Sequence, residues 1–322
     1  MDTFKLEFGS TRMTVADPRV AEPYYRGTRF DQTGIILSLE SGGHRYVQPW
    51  QRHYDPYSHD AVSGPAEEFL PVRSSTSESA SGDGRSRLQS LDASAPFLKI
   101  GVGLLQGDGE PYDRFKLYEV LDPGQMTIIL GKNAETGATG PEPSETGPSV
   151  LTFRQVLDGY YDYEKLVEIP AEGRLRISHR LTNRSTLLFD TYVYCHNFFI
   201  LDGAPTGRAT RFTFPFRPIG DWRAPYDSVR LSDRGIVFDR DLAPSETVFM
   251  GNLHPELPGT DGYRFALRNL DNNLRVEAAC DREMEYAVFW SNADVSCLEP
   301  YIPLCLAPGQ TARWTLNYRF LF

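Results

Sequence analysis

Apolar and polar positions alternate along the chain in short runs, and turn residues interrupt these runs about every ten positions. In Arg174–Asn183, for example, Leu175, Ile177, His179 and Leu181 fall on one face. Such two-faced alternation is typical of antiparallel strands with one covered face, and no long stretch shows the period of a helix. The pattern therefore predicts an all-β protein, a large antiparallel β-sandwich. The predicted strands are 34–41, 115–121, 126–130, 149–157, 161–169, Arg174–Asn183, 187–197, 263–269, 275–281, 286–291 and 311–322.

Two segments interrupt the strand pattern. Residues 73–96 are rich in Ser, Gly and Asp, and residues 132–148 are rich in Gly, Pro, Thr and Glu. Neither segment carries enough apolar side chains to order itself, so both are predicted to be exposed loops. Strands of the same style resume after each one, which predicts a single domain over residues 1–322.

Net charge limits the class of binding partner, and the cysteines indicate the redox compartment. The net charge of −10 and the pI near 5.2 argue against nucleic acid or an anionic membrane and favour a small, neutral or weakly charged substrate. Residues 1–10 lack the features of a signal peptide, and the apolar runs are too short to span a bilayer. The cysteines show no metal-type spacing and are interpreted as free thiols of a reducing compartment, with a Cys297–Cys305 disulfide as the less favoured alternative. A cytoplasmic monomer or homodimer is expected.

Most motifs for cofactor or nucleophile chemistry are absent. Residues 100–107 contain the pattern Gly-x-Gly-x-x-x-Gly, which is one residue longer than a dinucleotide-binding fingerprint. The pattern is followed by Asp-Gly-Glu-Pro instead of a helix. There is no Gly-x-Ser-x-Gly elbow, Walker A loop or His-Glu-x-x-His motif. The sequence therefore offers no support for a Rossmann enzyme, serine hydrolase, NTPase or zincin, and no cofactor is predicted.

Two residues stand out as candidates for acid–base chemistry. His196 follows the strand-like run 191–195 and precedes an aromatic segment, an environment that suits a general acid for a sugar oxygen. Glu299 lies in the apolar segment 295–303, which predicts a raised carboxyl pKa. The alternative for Glu299 is a strand-end carboxylate paired with an arginine, and either residue taken alone is more often structural.

The stretch 50–69 combines aromatic residues, two histidines and adjacent carboxylates in a non-repetitive order, as binding loops often do. A metal site at His53 and His59, with Asp60 or Glu67, is conceivable there. Histidines six positions apart are not a recognised ligand pattern, however, so no metal is predicted.

Three segments resemble the galactose mutarotase-like superfamily, and in particular the aldose 1-epimerases. Residues 24–40, followed by a Gly-Gly-His turn, resemble the opening strand and turn of these enzymes. Tyr-Cys-His-Asn-Phe-Phe at 194–199 resembles the family's His-x-Tyr-Phe-Asn-Leu segment, and residues 298–320 resemble its C-terminus. The resemblance implies the mutarotase-like supersandwich, with His196 as general acid and Glu299 as general base.

The sequence departs from the family where substrate is positioned. The family's Leu-His-Gly-Gly segment has no counterpart, and Phe-Leu-Lys-Ile-Gly at 97–101 places Lys99 where its histidine belongs. The family's arginine-bearing segment is replaced by Gly-Pro-Ala-Glu-Glu-Phe at 64–69. These departures imply a changed substrate pocket. Its predicted members are Lys99, Glu67, Glu68, Arg29, His59, Asn197 and Trp50.

The implied activity is that of an isomerase that interconverts the anomers of a sugar or a related cyclic hemiacetal, without cofactor or metal. Glu299 would take the proton of the anomeric hydroxyl, and protonated His196 would donate to the ring oxygen, with Lys99 or Arg29 supplying positive charge. Two alternatives stay open: isomerisation, cyclisation or elimination on a non-sugar molecule, and carbohydrate binding without catalysis.

Overall fold

The computed structural model describes residues 2–51, 53–75, 93–131, 149–257 and 263–322, and within these ranges no residue is helical. Accordingly, the described residues contain no helix that could cross a bilayer. The strands are β1 (Thr3–Phe8), β2 (Thr11–Ala16), β3 (Ile36–Ser41), β4 (His44–Val47), β5 (Gly64–Phe69), β6 (Arg73–Ser75), β7 (Phe97–Lys99), β8 (Gly103–Leu105), β9 (Val120–Asp122), β10 (Gln125–Gly131), β11 (Val150–Leu157), β12 (Tyr161–Glu168), β13 (Arg174–Asn183), β14 (Leu188–Phe198), β15 (Thr210–Thr213), β16 (Pro218–Trp222), β17 (Val229–Ser232), β18 (Gly235–Phe238), β19 (Thr247–Pro255), β20 (Arg264–Asn269), β21 (Arg275–Cys280), β22 (Tyr286–Asn292), β23 (Ser296–Leu306) and β24 (Thr311–Leu321).

Two large antiparallel sheets dominate these strands, so the predicted all-β sandwich is confirmed. The ten-stranded sheet has the order β10-β11-β12-β13-β24-β21-β20-β15-β18-β17. The seven-stranded sheet has the order β16-β19-β22-β23-β14-β5, with β6 also paired to β14. Smaller sheets, β1–β4 and β7–β9, accompany them.

The core lies between the two large sheets, where the inward faces of the alternating strands meet. Trp314 of β24 is buried and packs edge-on against Phe69 of β5. The Tyr318 hydroxyl of β24 donates to the Asn197 side chain of β14 across 2.9 Å. One face of the seven-stranded sheet is therefore covered by the ten-stranded sheet, and its other face is left to form a site.

Two strands that matter for the site do not show in the sequence pattern. The stretch 64–69, expected to be part of a non-repetitive binding loop, forms β5, and β23 was not among the predicted strands. Both are buried on both faces over most of their length, so apolar and polar residues do not alternate. Prolines at 65, 300 and 303 also argue against a strand in sequence.

The strand predicted at 115–121 is wrong, because only its last residues belong to β9. Ahead of it, Asp113 forms a turn in which its carboxylate accepts the Phe115 amide at 2.9 Å and its carbonyl accepts the Lys116 amide at 3.1 Å. The predicted loop at 73–96 begins as strand β6, while 76–92 and the predicted loop at 132–148 lie outside the described residues.

Candidate active site

The outer face of the seven-stranded sheet carries a cleft of about 770 Å³. Strands β14, β23, β22, β19 and β16 form its floor, and the loops around Arg29, Trp50 and Arg114 form its walls. Its lining residues are Arg29, Trp50, His59, Asp60, Leu70, Arg114, Phe115, His196, Phe198, Asp221, Arg223, Phe249, Gly251, Asn252, Glu285, Tyr286, Val288, Trp290, Glu299 and Tyr301.

His196 and Glu299 meet in this cleft because of the register between β14 and β23. Tyr194 pairs with Tyr301, and beyond the ladder Phe199 forms a bridge with Ser296. The same register places His196 opposite Glu299, with both side chains on the cleft face. Their Nε2 and Oε1 atoms are 3.1 Å apart. Two residues about a hundred positions apart in sequence thus come into direct side-chain contact.

Aromatic rings enclose this pair. Phe198 stacks on the His196 ring, with centroids 3.8 Å apart and planes 4° apart. Trp50 in turn stacks on Phe198, with centroids 5.4 Å apart. Trp290 meets His196 edge-on at 6.1 Å. His196 and Glu299 each remain only 4% exposed. The pair therefore lies in a poorly hydrated environment, in which electrostatic interactions are strengthened.

Burial moves the two pKa values in opposite directions. It raises the pKa of Glu299 to about 7, against the opposing effect of Arg29 and Arg114. It lowers the pKa of His196 well below the usual range, and the charge of Arg29 lowers it further. Among the described residues, His196 Nδ1 is buried without a hydrogen-bond partner. In the absence of a ligand, burial therefore favours a neutral imidazole beside a protonated carboxyl.

A cationic cluster lies next to the pair and is centred on Glu68. Arg29 Nε donates to Glu68 at 2.7 Å, Lys99 Nζ lies 3.4 Å from the same carboxylate, and Arg114 approaches it to 3.9 Å. Burial alone would raise the pKa of Glu68, but Arg114, Lys99 and Arg29 hold it far below its usual range. Three cations around one carboxylate leave this side of the cleft with excess positive charge.

The two arginines of this cluster reach the cleft itself. Arg29 Nη2 donates to the Tyr194 hydroxyl at 2.9 Å, and Arg114 Nη1 donates to the hydroxyls of Tyr194 and Tyr301 at 3.1 and 3.0 Å. Both arginines line the cleft, and both bias Glu299 toward the carboxylate.

Lys99 and Glu68 do not line the cleft, in contrast to the expectation from sequence. Lys99 is fully buried, and its Nζ donates to the Arg29 carbonyl at 2.6 Å and to the Tyr112 hydroxyl at 2.8 Å. Burial lowers its pKa to about 8. Glu68 accepts hydrogen bonds from Arg29 and the Tyr194 hydroxyl. Both residues stand behind Arg29: Glu68 holds its side chain and Lys99 its backbone carbonyl.

Glu67 and Asn197 also lie outside the cleft, because successive residues of a strand point to opposite faces. Glu67 follows the pleat away from Glu68 into the core, where it pairs with Lys165. Asn197 points away from His196, and its Nδ2 donates to the Leu298 carbonyl at 2.7 Å. The prediction placed Glu67 with Glu68, and Asn197 with His196, in one pocket. It overlooked that adjacent side chains of a strand point to opposite faces of the sheet.

The predicted Trp50 and His59 do line the cleft. Trp50 Nε1 donates to the Val62 carbonyl at 3.1 Å, and the His59 ring meets Phe115 edge-on at 4.8 Å. Partial burial lowers the pKa of His59. In the part of the chain that the structure describes, no group of three or more His, Cys, Asp and Glu side chains could hold a metal ion. Glu67, which the metal alternative included, faces the other side of β5.

Sequence reasoning missed several lining residues. Trp290, Tyr286 and Tyr301 continue the alternation of β22 and β23, and extending the period of two from Glu299 would have found Tyr301. Arg114 gave no signal, because it lies in a turn whose partners are distant in sequence.

Comparison with known proteins identifies similar folds. No protein-family model matches the chain, and no curated protein sequence matches it. Among solved structures, the Slr1438 protein of Synechocystis sp. PCC 6803 superposes with a TM-score of 0.57 at 14% identity, over 99% of this chain and 95% of that one. A galactose mutarotase-like protein of Clostridium acetobutylicum gives 0.56 at 12% identity, over 99% and 95%. One from Lactobacillus casei gives 0.52 at 11% identity, over 99% and 100%.

These similarities confirm the fold that the resemblance implied. The chain has the galactose mutarotase-like β-sandwich, and the match extends over nearly its whole length.

Proposed function

We propose that the protein is an aldose 1-epimerase-like isomerase that interconverts the anomers of a sugar or related cyclic hemiacetal through Glu299 and His196. The observation that carries the proposal is the 3.1 Å contact between these side chains on the floor of an aromatic-walled cleft. Aromatic faces suit the apolar faces of a sugar ring, and anomer exchange requires one proton donor and one acceptor.

Ring opening uses the pair as imidazolium and carboxylate. Glu299 takes the proton of the anomeric hydroxyl, the bond between C1 and the ring oxygen breaks, and His196 gives its Nε2 proton to that oxygen. The product is the open-chain aldehyde, with a neutral imidazole and a protonated carboxyl. After rotation about the C1–C2 bond, Glu299 returns its proton to the aldehyde oxygen. The attacking hydroxyl gives its proton to His196, and the other anomer is released.

The protonation preferences of the pair fit this cycle. Burial favours the neutral imidazole and protonated Glu299, which is the state of the pair after ring opening. Transfer of that one proton across the 3.1 Å contact restores imidazolium and carboxylate without changing the net charge of the pair. The change therefore avoids the cost of placing an unpaired charge in the cleft.

Arg29 and Arg114 supply fixed positive charge in this scheme. Both favour the carboxylate form of Glu299, which is the base for ring opening. Their hydrogen bonds to Tyr194 and Tyr301 hold them in place before substrate arrives, so little reorganisation is needed as negative charge develops on the anomeric oxygen.

Anomer exchange measured by NMR on a panel of aldoses tests the proposal. We expect catalysed exchange with at least one sugar and its loss in Glu299→Gln. Glu277→Gln, on the remote strand β21, serves as the matched control and should retain activity. Sugar binding without any exchange in the wild-type protein would instead support the non-catalytic alternative.

A further inference from the structure

The cleft continues beyond the proposed catalytic pair along one row of the seven-stranded sheet. Glu299 of β23 pairs with Val288 of β22, and Gly251 of β19 pairs with Asp221 of β16. Val288 faces the stretch of β19 where the register shifts, between Met250 and Leu253. Three strand spacings of about 4.8 Å therefore separate Glu299 from Asp221, about 14 Å along the sheet. This row is longer than a single pyranose ring, and the cleft volume of about 770 Å³ likewise exceeds what one ring fills.

The far end of this row is shaped by backbone irregularities on both of its strands. The β16–β19 ladder shifts register between Ile219 and Asp221, and the β19–β22 ladder shifts between Met250 and Leu253. Asn252 adopts a φ of 52°, a left-handed conformation that is uncommon outside glycine. Its Nδ2 donates to Asp221 Oδ2 at 3.2 Å. Bulges and strained residues of this kind re-aim side chains and concentrate at binding sites.

Arg223 completes this end of the cleft. Its guanidinium lies 4.1 Å over the Phe249 ring, and its amide donates to the Phe249 carbonyl at 3.1 Å. Among the described residues, no carboxylate pairs with this guanidinium. Phe249 in turn pairs in register with Trp290, the ring that meets His196 edge-on. Phe249 and Trp290 both line the cleft, so its aromatic lining extends from the pair toward Arg223.

We propose that Asp221, Arg223 and Asn252 form a distal subsite for a second sugar ring, so that the preferred substrate is a reducing disaccharide or longer saccharide. The inference rests on the proposed function, since the reducing end would occupy His196 and Glu299. At the subsite, the Asp221 carboxylate accepts hydrogen bonds from sugar hydroxyls, while Arg223 and Asn252 donate them. All three groups line the cleft and are solvent-exposed, so they can exchange water for hydroxyl groups.

The test compares kcat/KM for anomer exchange of glucose and galactose with that of maltose, cellobiose and lactose. We expect at least one disaccharide to be preferred over its reducing-end monosaccharide by about tenfold, the effect of one or two additional hydrogen bonds. Arg223→Ala and Asn252→Gly should each lower this preference at least threefold. Glycine accepts the backbone conformation of residue 252, so the second variant removes the amide with little risk to folding. Arg217→Ala, an exposed arginine paired with Glu256 just before β16, is the matched control and should keep the preference.

Equal kcat/KM for mono- and disaccharides in the wild-type protein, or equal losses on both in the variants, would overturn the subsite. If no sugar is exchanged at all, calorimetric titration with the same sugars separates the two proposals. Disaccharide binding that is tighter than monosaccharide binding, and weakened by Arg223→Ala, would support the subsite while the isomerase proposal fails. Absence of any difference in binding would remove the subsite as well.

Discussion

Glu299 Oε1 and His196 Nε2 lie 3.1 Å apart, yet burial drives both side chains away from their charged forms. The pair therefore has to be treated as one titrating unit with a single mobile proton. Loss of that proton is governed by the raised pKa of Glu299, and gain of a second proton by the lowered pKa of His196. This order is the reverse of a carboxylate and an imidazolium that titrate independently.

The first prediction at this scale concerns pH. In the proposed mechanism the singly protonated pair is the active form, so kcat/KM should fall as pH rises above about 7, where Glu299 loses the proton. The acid limb should lie well below the usual histidine pKa, where His196 gains a second one. Exchange rates measured from pH 4 to pH 9 provide the test. Activity that keeps rising above pH 8 would contradict this assignment.

The second prediction concerns coupling between the two residues. Glu299→Gln and His196→Asn should each lower kcat by about 10²–10⁴-fold, because each removes one of the two proton transfers. The double variant should lose little more than the worse single variant, because residues that act as a unit are not additive. Steady-state kinetics on all four proteins complete the cycle. Multiplicative losses would mean that the two side chains act independently.

At the scale of the element, β5 separates two buried ionic clusters because its successive carboxylates face opposite sides. Glu68 joins Arg29, Arg114 and Lys99 on the cleft side. On the core side, Glu67 pairs with Lys165, which also lies 3.5 Å from Asp31 and donates to the Thr33 carbonyl at 2.8 Å. The segment 29–33 contributes to both clusters and is thereby fixed to β5. This arrangement positions Arg29 for the cleft.

Lys165→Met tests the core-side cluster. It leaves Glu67 and Asp31 buried without their cation, so we expect the free energy of unfolding to fall by about 3–5 kcal/mol. The matched control is Arg176→Met on the neighbouring strand, where an exposed pair with Glu168 should contribute less than about 1 kcal/mol. Urea unfolding of both variants measures the difference. A loss as small as that of the control would show that the buried pair contributes little.

Comparison of β5 with other strands shows which parts of the fold and site can be predicted from sequence. Half-covered strands such as β13 and β24 were predicted from alternation, since solvent on one face imposes it. The strands β5 and β23 were not, because burial on both faces removes that signal. His196 and Glu299 were found through chemistry and resemblance, whereas their contact depends on a strand register that sequence alone does not give. Glu67 and Asn197 were wrongly placed in the pocket because the prediction ignored the alternation of side chains along a strand. Arg114 was not predicted because no local sequence pattern marks it.

At the scale of the whole molecule, segments from distant parts of the chain alternate within each large sheet. The C-terminal strand β24 lies between β13 and β21 in the ten-stranded sheet, and β14 lies between β23 and the early strand β5 in the seven-stranded sheet. The contact between His196 and Glu299 joins β14 and β23, and the core joins both sheets. Among the described strands, no single cut in the chain would therefore separate the strands of one large sheet from those of the other.

This interleaving predicts that the chain unfolds as a single domain in one cooperative transition. Removing β24 from its place would expose the edges of β13 and β21 together and open the core between the sheets, so neither sheet should survive without the other. Urea titration followed by far-ultraviolet circular dichroism and by tryptophan fluorescence should give coincident curves. Trp314 reports the core between the sheets, and Trp50 and Trp290 report the cleft. Lys165→Met should shift both curves equally, and separate midpoints for the two signals would show that sheet and cleft unfold as independent units.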